Sequence, residues 1–224
     1  MKAMVRAALL MLCISLYAGA QSRSLALYAG EANGLDASAI QAAQKELRRL
    51  VAPTGVDVVW KDLTSRKSGE QFDEIVVMTF SGSCSDLAAS LVPGSLQSPQ
   101  MILADSSVSD GHVLPFLRID CGYLVQILAP TLRSLNTSQR NDVLGRALAR
   151  VMAHEIYHIV GETTAHQAKG VAKASFSVRD LTGGEFDFDS WSLAQMRSPR
   201  PAVAQSFAAP VNDLVSDPAP LLER

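Results

Sequence analysis

The chain has 224 residues, 48% of them hydrophobic, which is enough for one domain with a substantial core and too few for two full ones. Its 20 Lys+Arg against 22 Asp+Glu leave a formal net charge of -2, with no basic run for phosphates or anionic lipid to read. Nucleic acid is therefore excluded as an expected partner.

At the N-terminus, Lys2 and Arg6 flank the start of the apolar run Ala7 to Leu16, and Ala18-Gly19-Ala20 follows. That pattern reads residues 1–20 as a cleavable export signal. The run falls well short of the roughly 20 residues that a bilayer span needs, so no stable membrane anchor is expected. The expected location is secreted or periplasmic. Cys13 leaves with the signal, and the remaining pair, Cys84 and Cys121, points to a disulfide outside the cytoplasm. Two buried free thiols are the alternative.

Ser24-Leu-Ala-Leu-Tyr28 fits a first strand. Asp36 or Ser38 can cap a helix in which Ile40, Leu47, Leu50 and Val51 recur at helical spacing, until Pro53 and Gly55 stop it. Val56 to Trp60 and Glu74 to Phe80 are β-branched strands. The Ser/Gly/Pro-rich stretch 81–98 reads as a loop with a short helix over Asp86 to Leu91. Gln100 to Ala104 reads as a strand, and Ser109-Asp110-Gly111 as a turn. Val113 to Ile119 follows as an edge strand, because Pro115 cannot donate within a central ladder. Asn136-Thr-Ser138 then caps a long helix with an apolar stripe at Val143, Leu144, Ala147, Leu148, Val151 and Ile156. Residues 21–199 form the expected domain, and 200–224 a Pro/Ala-rich tail expected to be disordered.

The long helix ends in His154-Glu155-Ile-Tyr-His158. Positions i and i+4 share one helix face, so the two imidazoles can point at one ion. Glu155 stands beside the first of them, angled to deprotonate a water rather than to ligate. A catalytic zinc takes three protein ligands. His166 is the natural third, but on a continuous helix it would lie roughly 12 Å too far along the axis. The helix must end first, and Gly161 can end it in the left-handed conformation. Glu185 is the competing third ligand; the acidic cluster around it has no recognised calcium-loop spacing and reads as a solvated acidic turn. His112, in the turn before the edge strand, could contact substrate.

The run His154-Glu155-Ile-Tyr-His158-Ile-Val-Gly161 resembles the metzincin zinc peptidases, whose motif continues through two residues to a third histidine. The resemblance implies an α+β fold, a mixed twisted sheet with a long active-site helix. It also implies a zinc ion (Zn2+), Glu155 as general base and a methionine in a tight turn beneath the site. Ala194 to Pro199, with Met196, is the candidate for that turn. Two departures stand out. Thr164 occupies the family's third-histidine position, so His166 comes two residues late, and no tyrosine follows Met196. The expectation is a secreted, monomeric zinc peptidase acting on a peptide or protein laid along Val113 to Leu117. A secreted, non-catalytic domain stabilised by zinc is the alternative.

Overall fold

The computed structural model describes residues 23–198 except 33, 66, 68 and 86–101. The signal segment, the tail beyond 199 and the Asp86 to Leu91 helix lie outside the described residues.

The chain opens with strand β1 (Arg23–Ala29) and helix α1 (Ala37–Val51). Asp36 caps α1 by accepting the Ser38 N–H, and Gly55, left-handed at φ 76°, turns the chain into strand β2 (Val56–Asp62). Strands β3 (Glu74–Ser81), β4 (Ala104–Ser109) and β5 (His112–Asp120) complete a five-stranded sheet in the order β2-β1-β3-β5-β4. All neighbours run parallel except β4, which pairs antiparallel with β5 through the turn Asp110-Gly111, both residues at positive φ.

The edges are therefore β2 and β4, and the Val113 to Ile119 segment, expected at an edge from Pro115, lies inside the sheet between β3 and β4. Pro115 sits inside β5, where the pairing shifts between Ser106↔Leu117 and Val108↔Val113, and β3 pairs only from Phe116 onward. A missing N–H costs no ladder hydrogen bond in such an irregularity. The strand expected at Gln100 to Ala104 begins only at Ala104 and runs through Asp105-Ser106-Ser107, whose polarity suits an exposed edge.

Helix α2 (Cys121–Arg133), capped by Asp120, was not expected from the sequence, because Gly122 and Pro130 both weaken the pattern. It buries Leu124, Leu128 and Leu132, a stripe four residues apart. Cys84 and Cys121 form a disulfide across a Cα distance of 4.9 Å, fixing the segment after β3 to the start of α2. Helix α3 (Thr137–Gly161) carries a complete Asn136–Gln139 capping box. Short helices α4 (Val178–Thr182) and α5 (Ser190–Arg197) close the described chain. No helix among the described residues is long and apolar enough to cross a membrane.

Strand alternation divides the packing. Leu25, Leu27, Val76, Met78 and Ile119 join α1, α2 and α3 in the main core, while Ala26, Tyr28 and Ile75 cluster with Phe72 apart from it. Gly145 is where α3 crosses α1: a Cβ there would stand 2.4 Å from the Ala39 carbonyl and 2.6 Å from Ala42 Cβ. The close crossing buries the second half of α3 from Ala147 through Val160.

Candidate metal centre

His154, Glu155 and His158 lie in the last turns of α3 and are all buried. The helix ends at Gly161, but the left-handed residue is Glu162 (φ 46°, ψ 49°), correcting the expected role of the glycine. Gly161 instead provides room, since a Cβ there would come within 3.3 Å of Thr163 Cγ2 and 3.8 Å of Gln195 Cβ. The chain turns back with Thr163 N–H donating to the His158 carbonyl at 3.1 Å. His166, exposed on this return loop, joins the two helical histidines, with one ring nitrogen from each within 4.8 Å of the others.

Backbone carbonyls orient both buried rings. His154 Nδ1–H donates to the Val171 carbonyl at 2.8 Å, and His158 Nδ1–H to the Thr163 carbonyl at 2.6 Å. Because a carbonyl can only accept, both protons sit on Nδ1 and both Nε2 atoms present lone pairs, 3.0 Å apart. Burial, together with the neighbouring histidines, pushes His154 down to about 4 despite its carbonyl partner, and burial also lowers His158. Neither ring takes up a proton near neutral pH. Two lone pairs at that separation repel unless a cation lies between them, so this donor set fits a metal ion. Ligand atoms about 2 Å from a tetrahedral ion stand roughly 3.3 Å apart, close to the 3.0 Å between the two Nε2 atoms. Imidazole nitrogen suits several divalent transition metals.

The loop beyond His166 supplies the outer support. Gly170, at φ +72°, lies so close to Asp187 that a Cβ would stand 2.4 Å from its carbonyl oxygen. The next residue, Val171, donates its N–H to that carbonyl at 3.1 Å and offers its own carbonyl to His154. Phe176 packs edge-on against His154 with ring centroids 5.3 Å apart. One turn before His154, buried Arg150 donates to Glu46 at 3.1 Å, to the Asp180 carbonyl at 2.6 Å and to the Gly184 carbonyl. It thereby joins α1, α4 and the loop after α4 beneath the site.

Glu155 is not part of the histidine cluster. Burial raises its carboxyl to about 7, with nearby Asp105 adding to the rise, while the Ser106 hydroxyl and N–H stabilise the charged form. Edge strand β4 thus lies against the candidate base. His154 and Glu155 also line a cavity of about 280 Å³ whose apolar wall includes Ile102, Leu103, Tyr123, Val151 and Phe176.

No family model, curated protein or solved structure matches the chain.

The remaining expected site residues fall elsewhere. Glu185 is exposed in the loop between α4 and α5 and outside the cluster, so it is not a competing ligand here. Met196 is fully buried but helical, within α5, so the expected methionine turn is replaced by a helix. His112, at the β4–β5 turn, pairs with Glu162 at 3.2 Å, both side chains largely exposed. Sequence reasoning missed the orienting carbonyls of Thr163 and Val171, because a backbone group has no sequence signature. It also missed Ser106, because the strand expected from the sequence ends at Ala104, where β4 begins.

Proposed function

We propose that the chain is an exported zinc-dependent peptidase of metzincin type, hydrolysing peptide bonds with Glu155 as general base. The observation that carries this reading is the convergence of the three histidine nitrogens beside a buried carboxyl that is not one of them. A site built only for stability has no use for such a carboxyl. The single antiparallel edge strand, the active-site helix and the return loop after Gly161 support the metzincin likeness; the helical Met196 and the late third histidine depart from it. The disulfide accords with export.

His154, His158 and His166 would hold the zinc, which would supply a Lewis acid for water and for the scissile carbonyl. The chain contributes the rest. Glu155 accepts a proton from the attacking water on a carboxylate oxygen and passes it to the leaving amine. Hydrogen bonds from Ser106 offset part of the burial that raises the Glu155 carboxyl to about 7, which leaves it able both to take and to release a proton near neutral pH. Substrate lies extended along β4, in place of the Val113 to Leu117 segment, and pairs through backbone groups with little demand on sequence.

The test compares wild type with Glu155→Ala on an unstructured protein substrate, with zinc content measured in both. Retained zinc with hydrolysis lost supports the base. Unchanged hydrolysis sinks the assignment, and a wild type inert on a broad substrate panel favours a non-catalytic zinc domain.

A further inference from the structure

We propose that Tyr157 is a positioning residue for the third metal ligand: its hydroxyl tethers the return loop so that His166 reaches the ion. The inference rests on the three-histidine centre described above. Tyr157 is 0% exposed and immediately precedes His158 on α3, their rings 5.1 Å apart. Its Oη donates to the Ala165 carbonyl at 3.0 Å, across the end of the helix. Ala165 is the residue before His166.

Four residues, Glu162 to Ala165, separate Gly161 from His166, two more than in the motif this run resembles. Each added residue brings backbone freedom that must be frozen before the imidazole sits at the metal. The near end of the spacer is already fixed, by Thr163 N–H on the His158 carbonyl and the Thr163 carbonyl on His158 Nδ1. Beyond His166, Gln167 N–H donates to the Ala172 carbonyl at 2.8 Å. Between these anchors, Ala165 is held by the Tyr157 hydroxyl on its carbonyl and by Thr163 Oγ1 on its N–H at 3.1 Å. The first ties it directly to the helix that carries the other two ligands. A phenol suits the task because its ring packs in the core while its hydroxyl extends past the last turn.

The experiment is a double-mutant cycle on zinc affinity in the full chain, measured by competition with a chromophoric chelator, with Tyr157→Phe and His166→Ala. Tyr157→Phe is expected to weaken zinc binding about 10-fold, as loss of an outer-shell partner does, and to shift the visible spectrum of bound cobalt(II) toward that of His166→Ala. In the His166→Ala background the same substitution is expected to change affinity less than about twofold, since no ligand remains to position. Tyr157→4-aminophenylalanine, which keeps the ring and a para donor, is expected to bind zinc as wild type does, and it remains informative should Tyr157→Phe not fold. Wild-type zinc affinity in Tyr157→Phe, equal weakening in both backgrounds, or loss of zinc with the para donor retained overturns the positioning role while leaving the three-histidine centre standing. A His166→Ala chain that binds zinc as tightly as wild type overturns that centre and the proposal with it.

Discussion

Replacing Gly145 by alanine tests the packing that holds the site. Alanine favours the helix interior by about 1 kcal/mol over glycine, so helix propensity alone predicts a more stable protein. The crossing with α1 predicts the reverse. The new Cβ would stand 2.4 Å from the Ala39 carbonyl oxygen and 2.9 Å from the Ala43 nitrogen, where ordinary contact begins near 3.4 Å. Backbone atoms cannot rotate away, so α1 must retreat by roughly 1 Å, at an overpacking cost of about 1–3 kcal/mol. The retreat also pulls Glu46 from Arg150, one turn before His154. The expected result is a net loss of about 1–2 kcal/mol in urea unfolding followed by far-UV circular dichroism, because strain and the lost ion pair outweigh propensity. Gly184→Ala is the control, as a Cβ there meets nothing within 4 Å. A Gly145→Ala protein as stable as wild type refutes the close crossing.

Gly170→Ala combines a left-handed backbone with a Cβ 2.4 Å from the Asp187 carbonyl, and it displaces the Val171 carbonyl that orients His154. About 2–4 kcal/mol of stability should be lost, and zinc affinity should fall about 10-fold, read by chelator competition. Acid sensitivity tests the ion-pair network: burial works to raise the Glu46 carboxyl, but hydrogen bonds and charge from Arg49 and Arg150 outweigh it and hold it low. An unfolded glutamate binds its proton near 4.3 and the folded one only at lower pH, so this contribution is complete above about 4.3 and is lost as pH falls through the folded value. Glu46→Gln should therefore flatten the pH dependence of urea midpoints below that point, and an unchanged slope would remove Glu46 from the account. Removing the disulfide by Cys84→Ala with Cys121→Ala should cost up to about 4 kcal/mol for cysteines 37 residues apart, seen as a lower thermal midpoint.

Much of the scaffold was legible because it rests on local patterns. Asp36, Asn136 and the stripes on α1 and α3 marked those helices closely, and Asp110-Gly111 marked the hairpin turn. The spacing of His154 and His158 placed two ligands on one face with no knowledge of the fold. What failed depends on contacts distant in sequence. Pro115 signalled an edge because the irregular pairing that shelters it is a property of two strands together. Gly161 looked like a left-handed cap, yet Glu162 is the residue that takes the left-handed backbone, at a cost of roughly 1–2 kcal/mol. Helix α2 was missed because tertiary burial of Leu124, Leu128 and Leu132 overrides the weak propensity of Gly122 and Pro130.

The central claim is that His154, His158 and His166 together hold one zinc ion. Zinc K-edge X-ray absorption on the full chain loaded with one equivalent tests it most directly, because multiple scattering counts imidazole rings. Three imidazoles with nitrogen at about 2.0–2.1 Å and one further light atom is the predicted result. Two imidazoles, or no stoichiometric zinc binding, would contradict it.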